Sequence, residues 1–368
     1  MTDSLKTTPL HAEHVALGAR MVDFAGWHMP VQYAGIIEEH TAVRSSAGIF
    51  DVSHMGEFRV SGSGAKAALQ GIVTNDLDRI DAVGHALYTV MCAEDGGIID
   101  DLIVYHTGDL EYLIVVNAAN LETDWAWFAA HLPADVEAAD ESGRTALIAV
   151  QGPRAIGIVN ELAGDGWEAP GRFTIAEATL DGIPVLAART GYTGEDGVEL
   201  FCHTSQAPAV WRLLLSFPEI TPCGLGARHT LRLEMGYPLY GSDMDRSVDP
   251  VSAGLGWVVP KEKAGFIGHA AIAAVRESGP VRKLVGLTVS DGVPRHGYPV
   301  LHGTSEVGNV ASGTFSPTLG HGIATAYVPA ALAEPGTKLE IAIRRKVVPA
   351  IVTRPPFVKE TSLSAKGS

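Results

Sequence analysis

From Gly56 onward the hydrophobic positions change period several times. "EFRVSG", "ALYTVMC", "IIDDLIVY" and "EYLIVVN" are short apolar runs rich in β-branched and aromatic residues, which predicts strands. Between and after them "GAKAALQGIV" and "ANLETDWAWFAAHL" carry apolar residues at helical spacing, and "VEAAD" adds a short strand. The links "EDGG" and "HTGD" supply the Gly and Asp that tight hairpins need. Strands joined so closely must be antiparallel, so the segment is an α+β unit, not a doubly wound sheet. A second pass starts at Arg144 with "TALIAVQG", then helix "PRAIGIVNEL", strands "FTIAEATL", "IPVLAART" and "GVELFC", and helix "QAPAVWRLLLSF". The element order nearly repeats, which predicts two related α+β lobes of similar size.

After Gly265 the texture becomes short strands punctuated by Gly and Pro: "RKLVGLTVS", "GYPVLHG", "EVGNVASG", "GIATAYVP" and "TKLEIAIRRKVVPAIVTR". Such spacing predicts a small barrel or a jelly roll. The last residues, "KETSLSAKGS", read as a frayed tail.

One strand poses a chemical question. In "GGIIDDLIVY" strict alternation puts Ile98, Asp100, Leu102 and Val104 on one face and Ile99, Asp101, Ile103 and Tyr105 on the other. Both faces are apolar apart from the carboxylates, and an unpartnered buried carboxylate is costly.

Composition narrows the chemistry. With 368 residues, 46% hydrophobic and 19% charged, the chain predicts a globular protein of two or three domains. The start "MTDSLKTTPLHAEH" has neither a basic lead nor an apolar stretch, and no apolar run approaches a membrane span, so a cytoplasmic location is expected. Cys92, Cys202 and Cys223 form no CxxC pair, against a disulfide framework or a thiolate zinc site. A net charge of −15 opposes nucleic-acid binding, and the one compact basic cluster, Arg344-Arg345-Lys346, reads as the solvated edge of a strand. HExxH is absent, and "HAEH" (His11, His14) reads as an ordinary surface helix, so no metal is expected. Without a GxxxxGK[ST] loop or a complete GxGxxG after a strand, nucleotide chemistry is disfavoured.

Four stretches are richer in unusual residues than a core requires. "MVDFAGWHMP" with "FDVSHMGEF" reads as a packed lobe interface. The strands around "IIDDLIVY" bring Tyr88, Asp101 and Asn117 towards one another. "RTGYTGEDGVEL" is a glycine-dense turn that lets a ligand approach the backbone closely. In "CGLGARHTLRLEMGYPLYGSDMD" a predicted helix carries Arg228 and Arg232 on one face. Such arginines suit carboxylate ligands, or pair at the surface with Glu234 or Asp243.

Together these stretches, with "QGP" and "SGTFSPTLG", resemble in order the aminomethyltransferases, the T-proteins of the glycine cleavage system, from about Thr8 to Val358. The resemblance implies a three-domain cloverleaf: two α+β lobes with antiparallel sheets and a β-barrel or jelly-roll-like third domain around a central folate-binding hole. The divisions expected are 1–54 with 144–256, 55–143, 257–361, and a tail at 362–368. The implied reaction moves the one-carbon unit of an aminomethyl-lipoyl arm, carried by the lipoylated H-protein, to tetrahydrofolate. Ammonia and 5,10-methylenetetrahydrofolate are the products. The resemblance makes Asp101 the catalytic residue and gives the folate contacts to Met55, Tyr88, Asn117, Tyr192, Glu199, Arg228 and Tyr237. Asp101 then faces the folate hole, and Asp100, on the opposite face, is structural.

Three positions depart from the family pattern. His229 replaces an aspartate beside Arg228, Arg246 replaces an acidic residue, and the tail lacks the aromatic residue that animal members place near the ligand. The alternatives are a folate-dependent demethylase of a small methylated substrate, or a folate-binding protein without transferase activity. Relatives of the latter kind carry a Lys-Gly-Cys segment, where this chain reads "KAGFIGHAA".

Overall fold

The computed structural model describes residues 5–365. The chain opens with α1 (His11–Ala16), the hairpin β1 (Arg20–Phe24) and β2 (Trp27–Gln32), α2 (Ile36–Ser45) and β3 (Ala47–Asp51). Next come β4 (Gly56–Ser61), α3 (Ala65–Ile72), β5 (Ala86–Cys92), β6 (Ile98–Gly108), β7 (Glu111–Val116), α4 (Leu121–His131) and β8 (Glu137–Asp140). Strands β4–β8 form one antiparallel sheet in the order β5-β6-β7-β4-β8. The second pass consists of β9 (Thr145–Gln151), α5 (Ala155–Ala163), β10 (Ile175–Leu180), β11 (Ile183–Ala188), β12 (Gly197–His203), α6 (Ala207–Leu215), β13 (Ile220–Pro222) and α7 (Leu225–Glu234). Its sheet runs β10-β11-β12-β9-β3-β13, antiparallel except that β13 lies parallel to β3. Thus β3, from before the first sheet, completes the second.

After α8 (His269–Ser278), strands β14 (Arg282–Val289), β15 (Pro299–His302), β16 (Ser305–Ser316), β17 (His321–Pro329), β18 (Lys338–Ile343) and β19 (Lys346–Thr353) close a barrel. The fold is therefore two α+β lobes and a barrel. The run read as one basic strand edge is instead the hairpin β18–β19, turned at Arg344, whose φ is 55°. Arg344-Arg345 is exposed because it is a turn.

The two faces of β6 are apolar for different reasons. Leu102 and Val104 pack with Phe58, Leu69 and Phe128 in the core that α3 and α4 cover. Ile103 and Tyr105 pack with Phe50, Leu147 and Phe201, where the two sheets meet. Strict alternation fails at the start of the strand. Met91 pairs with Asp100 but Cys92 pairs with Ile98, so Ile99 is the extra residue of a bulge. Ile99 therefore joins the core of Leu102 and Val104, while Ile98 packs with Met244 and Val248. Neighbouring Gly97 is required because a Cβ there would fall onto the Arg246 carbonyl oxygen.

Two further expectations are corrected. His14 is buried, not on a surface helix face: its Nε2 lies 2.8 Å from Asp51 and its Nδ1 2.8 Å from the Tyr33 hydroxyl. His11 turns instead to His28, 2.9 Å away, so the histidines of "HAEH" serve different neighbours. The tail is docked at its start. α9 (Ser362–Ala365) begins with Ser362, whose N–H and hydroxyl donate to Glu195 at 2.9 and 2.5 Å and whose Oγ accepts from the Asp196 N–H at 2.8 Å. Residues 366–368 lie outside the described ones.

Helix α7 ties the lobes to the barrel. Arg232, 1% exposed, donates to fully buried Asp243 at 2.6 Å and to the Ser312 hydroxyl of β16 at 2.7 Å. Asp243 also accepts from Ser312 at 2.8 Å and from the Leu239 N–H at 3.0 Å. Arg232 and Asp243 thus pair in the interior, not at the surface. At the end of the same helix Glu234 receives Arg44 at 2.8 Å and the Ser316 hydroxyl at 2.5 Å. Removing one member of a buried pair strands the other charge, which costs about 3–5 kcal/mol. Asp243→Ala is accordingly expected to lower the thermal midpoint far more than an exposed substitution such as Glu306→Ala, with both followed by calorimetry.

Candidate functional site

A cavity of about 1280 Å³ lies where the three units meet. Its wall takes residues from β1–β2, β5–β7, the 189–199 turn, α7, the 236–240 and 253–257 segments, and β16. Met55, Tyr88, Asp101, Asn117, Tyr192, Glu199, Arg228 and Tyr237 all line it. They come from both lobes and from the segment following α7, so only the packing of these parts brings them together.

The two aspartates of β6 have opposite surroundings. Asp100 is fully buried behind the strand and lines no part of the cavity. It accepts from the Asn117 N–H (2.9 Å), the Asn117 side-chain amide (2.9 Å) and the Asn120 amide (2.7 Å). Asp101 faces the cavity, accepting from the Tyr88 hydroxyl on one oxygen at 2.9 Å and from the Asn117 amide on the other at 2.8 Å. Burial, then the charge of Asp100, push the Asp101 carboxyl up to about 7, against the pull of these two donors. Asn117 commits both protons of its side-chain amide to the aspartates. A flipped amide would set its carbonyl against acceptors, so the orientation follows from the surroundings. Only its oxygen remains to meet a ligand.

On the far wall Glu199 is 7% exposed. One of its oxygens accepts from the Thr190 hydroxyl at 2.5 Å, and Thr190 is bonded in turn to the Tyr105 hydroxyl at 2.7 Å. No described residue donates to its other oxygen. Burial raises the Glu199 carboxyl, opposed by Thr190 and by the charge of Arg228. Arg228 lies 4.7 Å over the Tyr192 ring, a cation–π contact, and no carboxylate of the described residues comes within 4 Å of it. Its local partner is therefore not His229, which accepts from Arg232 at 3.1 Å and which burial and the Arg232 charge push down to about 4. Tyr192 and Tyr237 stack on each other with ring centroids 5.6 Å apart, leaving no gap for a third ring between them. The Tyr192 hydroxyl is spent on the Pro238 carbonyl, so the ring is what it presents.

Sequence reasoning missed several wall residues. Trp257 stacks on Tyr88 at 5.6 Å while 61% exposed, and Thr74 and Arg276 hold its turn by bonding the carbonyls of Val258 and Gly256. Arg295 and Thr314 arrive from the barrel. Leu363 of the docked tail also lines the wall, in a segment whose lack of an aromatic residue stood out in the sequence. Of these, Trp257 had a signal, a tryptophan within glycines in "SAGLGWVVP"; the others depend on packing alone.

The GCVT N-terminal domain family matches residues 10–263, and the glycine cleavage T-protein C-terminal barrel domain family matches residues 282–359. An aminomethyltransferase of Halothermothrix orenii is 46% identical over 96% of this chain and 100% of its own length. One from Synechococcus sp. is 48% identical over 96% of this chain and 99% of its own. The crystal structure of glycine cleavage system aminomethyltransferase T from Bartonella henselae superposes with a TM-score of 0.90 at 33% identity, covering 96% of this chain and 98% of that one. Two lobes and a barrel around a shared cavity are thus the architecture of a transferase class. The chain belongs to the glycine cleavage T-protein family, a family of aminomethyltransferases.

The Tyr88 hydroxyl donates to Asp101 and so favours its charged form. Tyr88→Phe is expected to raise the Asp101 titration midpoint above about 7, read by carboxyl-carbon NMR across pH 5–9. A lowered midpoint would mean that the hydroxyl does not stabilise the carboxylate.

Proposed function

We propose that this protein moves the one-carbon unit of an aminomethyl-lipoyl arm, presented by the lipoylated H-protein, to tetrahydrofolate, releasing ammonia and forming 5,10-methylenetetrahydrofolate. The observation that carries the reading is Asp101, a cavity-facing carboxyl held near neutrality. Such a group changes protonation at working pH, as a general acid–base group must. The cavity exceeds the roughly 300–1000 Å³ of common small-molecule sites, in keeping with two reactants meeting inside it.

The residues present fit a reduced folate. The open oxygen of Glu199 suits the paired N–H donors along a pterin edge, and the uncommitted guanidinium of Arg228 suits a carboxylate of the folate tail. Bound folate supplies the nucleophilic nitrogen that takes up the carbon. Asp101 does the rest at one atom: its carboxylate holds negative charge beside the carbon as the sulfur leaves, and it takes or returns a proton. Tyr88 and Asn117 fix both of its oxygens, so the carboxylate needs no reorientation during transfer. The apolar stretches of the wall, among them Ile103, Val115 and Leu147, keep water from competing for the carbon.

Asp101→Asn is expected to keep the fold and most folate affinity while losing on the order of 10²–10⁴ in transfer rate. The assay follows ammonia release from the aminomethyl-loaded H-protein. A variant that stays fully active would end the catalytic assignment. Glu199→Ala is expected to shrink the rise in thermal midpoint that tetrahydrofolate gives, because a ligand selective for the folded state stabilises it by mass action. Unchanged calorimetric affinity would count against the pterin assignment.

The pH dependence has a definite sign. Asp101 works ionised and its carboxyl is raised to about 7, so kcat/KM should be low at pH 5.5, climb through pH 7 and level off above it. A flat profile over this range would remove Asp101 as the titrating group.

A further inference from the structure

Behind the cavity stands a carboxyl that the proposed reaction does not use. Asp124 lies in the first turn of α4, fully buried, and neither of its oxygens receives a donor from the protein. Its neighbour is Asp100, whose two oxygens already accept from Asn117 and Asn120. Three carboxyls thus lie within one short stretch of interior: Asp124, Asp100 and Asp101. Two adjacent buried carboxylates cannot both stay ionised without a cation between them. A proton on one turns the repulsion into a hydrogen bond, because a protonated carboxyl is a donor.

We propose that Asp124 and Asp100 share one proton as a buried pair, and that through Asn117 this pair positions Asp101 and sets when it ionises. The geometry assigns the proton. Asp100 has three N–H donors and stands at the amino-terminal end of α4, where the helix dipole favours negative charge. Asp124 has none, so it carries the proton and donates it to Asp100. Asp100 stays an anion and anchors Asn117, whose amide bridges 2.9 Å to Asp100 and 2.8 Å to Asp101. Consistent with this, burial and then the charge of Asp100 push the Asp124 carboxyl up to about 11. The other titratable groups facing this cluster are Tyr88 from β5, Tyr192 from the 189–199 turn and Tyr240 from the segment after α7. Asp100 is therefore a positioning residue and not only a structural one.

The inference rests on Asp101 as the working carboxylate, but its test needs neither folate nor carrier. Carboxyl carbons of aspartate-labelled full-length protein are titrated by NMR. One resonance is expected to move near pH 7 and to vanish in Asp101→Asn, and another to stay protonated beyond pH 8 and to vanish in Asp124→Asn. Asp100→Asn removes the neighbouring charge and should lower the Asp101 midpoint by roughly one pH unit, the scale of a close like charge. Asp124→Leu takes away one of the four donors to Asp100 and leaves an apolar side chain beside it, which favours the protonated form of Asp100 and should lower the Asp101 midpoint in the same direction. Asp124→Asn still donates through its amide and should leave the midpoint near its starting value. Where Asp100→Asn does not fold, the two Asp124 variants carry the comparison. An Asp101 midpoint that is the same in Asp124→Leu and in the parent protein overturns the proposal, as does the absence of any aspartate protonated above pH 8. Inactive protein that shows these shifts would instead refute the reaction assigned to Asp101 and leave the pair standing.

Discussion

Holding two consecutive carboxylates in one strand, Asp100 sealed behind it and Asp101 half-buried at the cavity, is the constraint around which this molecule is organised. A carboxylate removed from water must be given donors or a proton. On β6 each of the pair is answered from a different direction. Asp100 is met by the end of β7 and the start of α4, through Asn117 and Asn120, and Asp101 by Tyr88 on β5. Satisfying both therefore fixes strand order, the β7–α4 connection and the face that the sheet turns to the cavity. The bulge at Ile99 belongs to the same solution, because it shifts only the residues before Asp100 and leaves the alternation from Asp100 to His106 intact.

The cavity lies between apolar cores that are joined at their edges and not merged. The sheets share one apolar interface around Phe50, Tyr105 and Leu147, while the barrel has its own core. Polar ties cross the remaining gap: Arg232 and Asp243 to Ser312, and Glu234 to Arg44, Ser316 and Thr318. Such ties are directional, so they set the relative placement of lobes and barrel more tightly than apolar contact alone would. Arg228 and Arg232 sit on one face of α7 yet have different tasks. The second is consumed by the junction, and the first is left to the cavity.

Much of this was legible in the sequence, for physical reasons that differ by element. Strands β4 to β12 and helices α3 to α6 announced themselves because short apolar, β-branched runs and helically spaced apolar residues alternate there between Gly- and Asp-bearing turns. The first fifty residues gave no such signal. Their hairpin β1–β2 turns at Ala25-Gly26, both at positive φ, and β3 is buried along its whole length, so no alternation marks it. The run "TKLEIAIRRKVVPAIVTR" concealed a turn because Arg344 adopts a left-handed conformation that its residue type does not advertise. The tail looked frayed because its anchor is Glu195, far away in the chain.

The sequence by itself determined the α+β order, the β-rich final third, the family resemblance and the alternation that separates Asp100 from Asp101. These follow from local period and composition, which act over a few neighbouring residues. Only the tertiary structure decided that Asn117 spends its amide on the aspartates and that His14 faces inward. It also decided that Arg232 rather than Arg228 is paired, that Trp257 stacks on Tyr88, and that Asp124 stands behind Asp100. Each of these depends on which donor or charge arrives from a distant part of the chain. Hydrogen bonds and buried charges are settled by that geometry, and a linear pattern does not contain it.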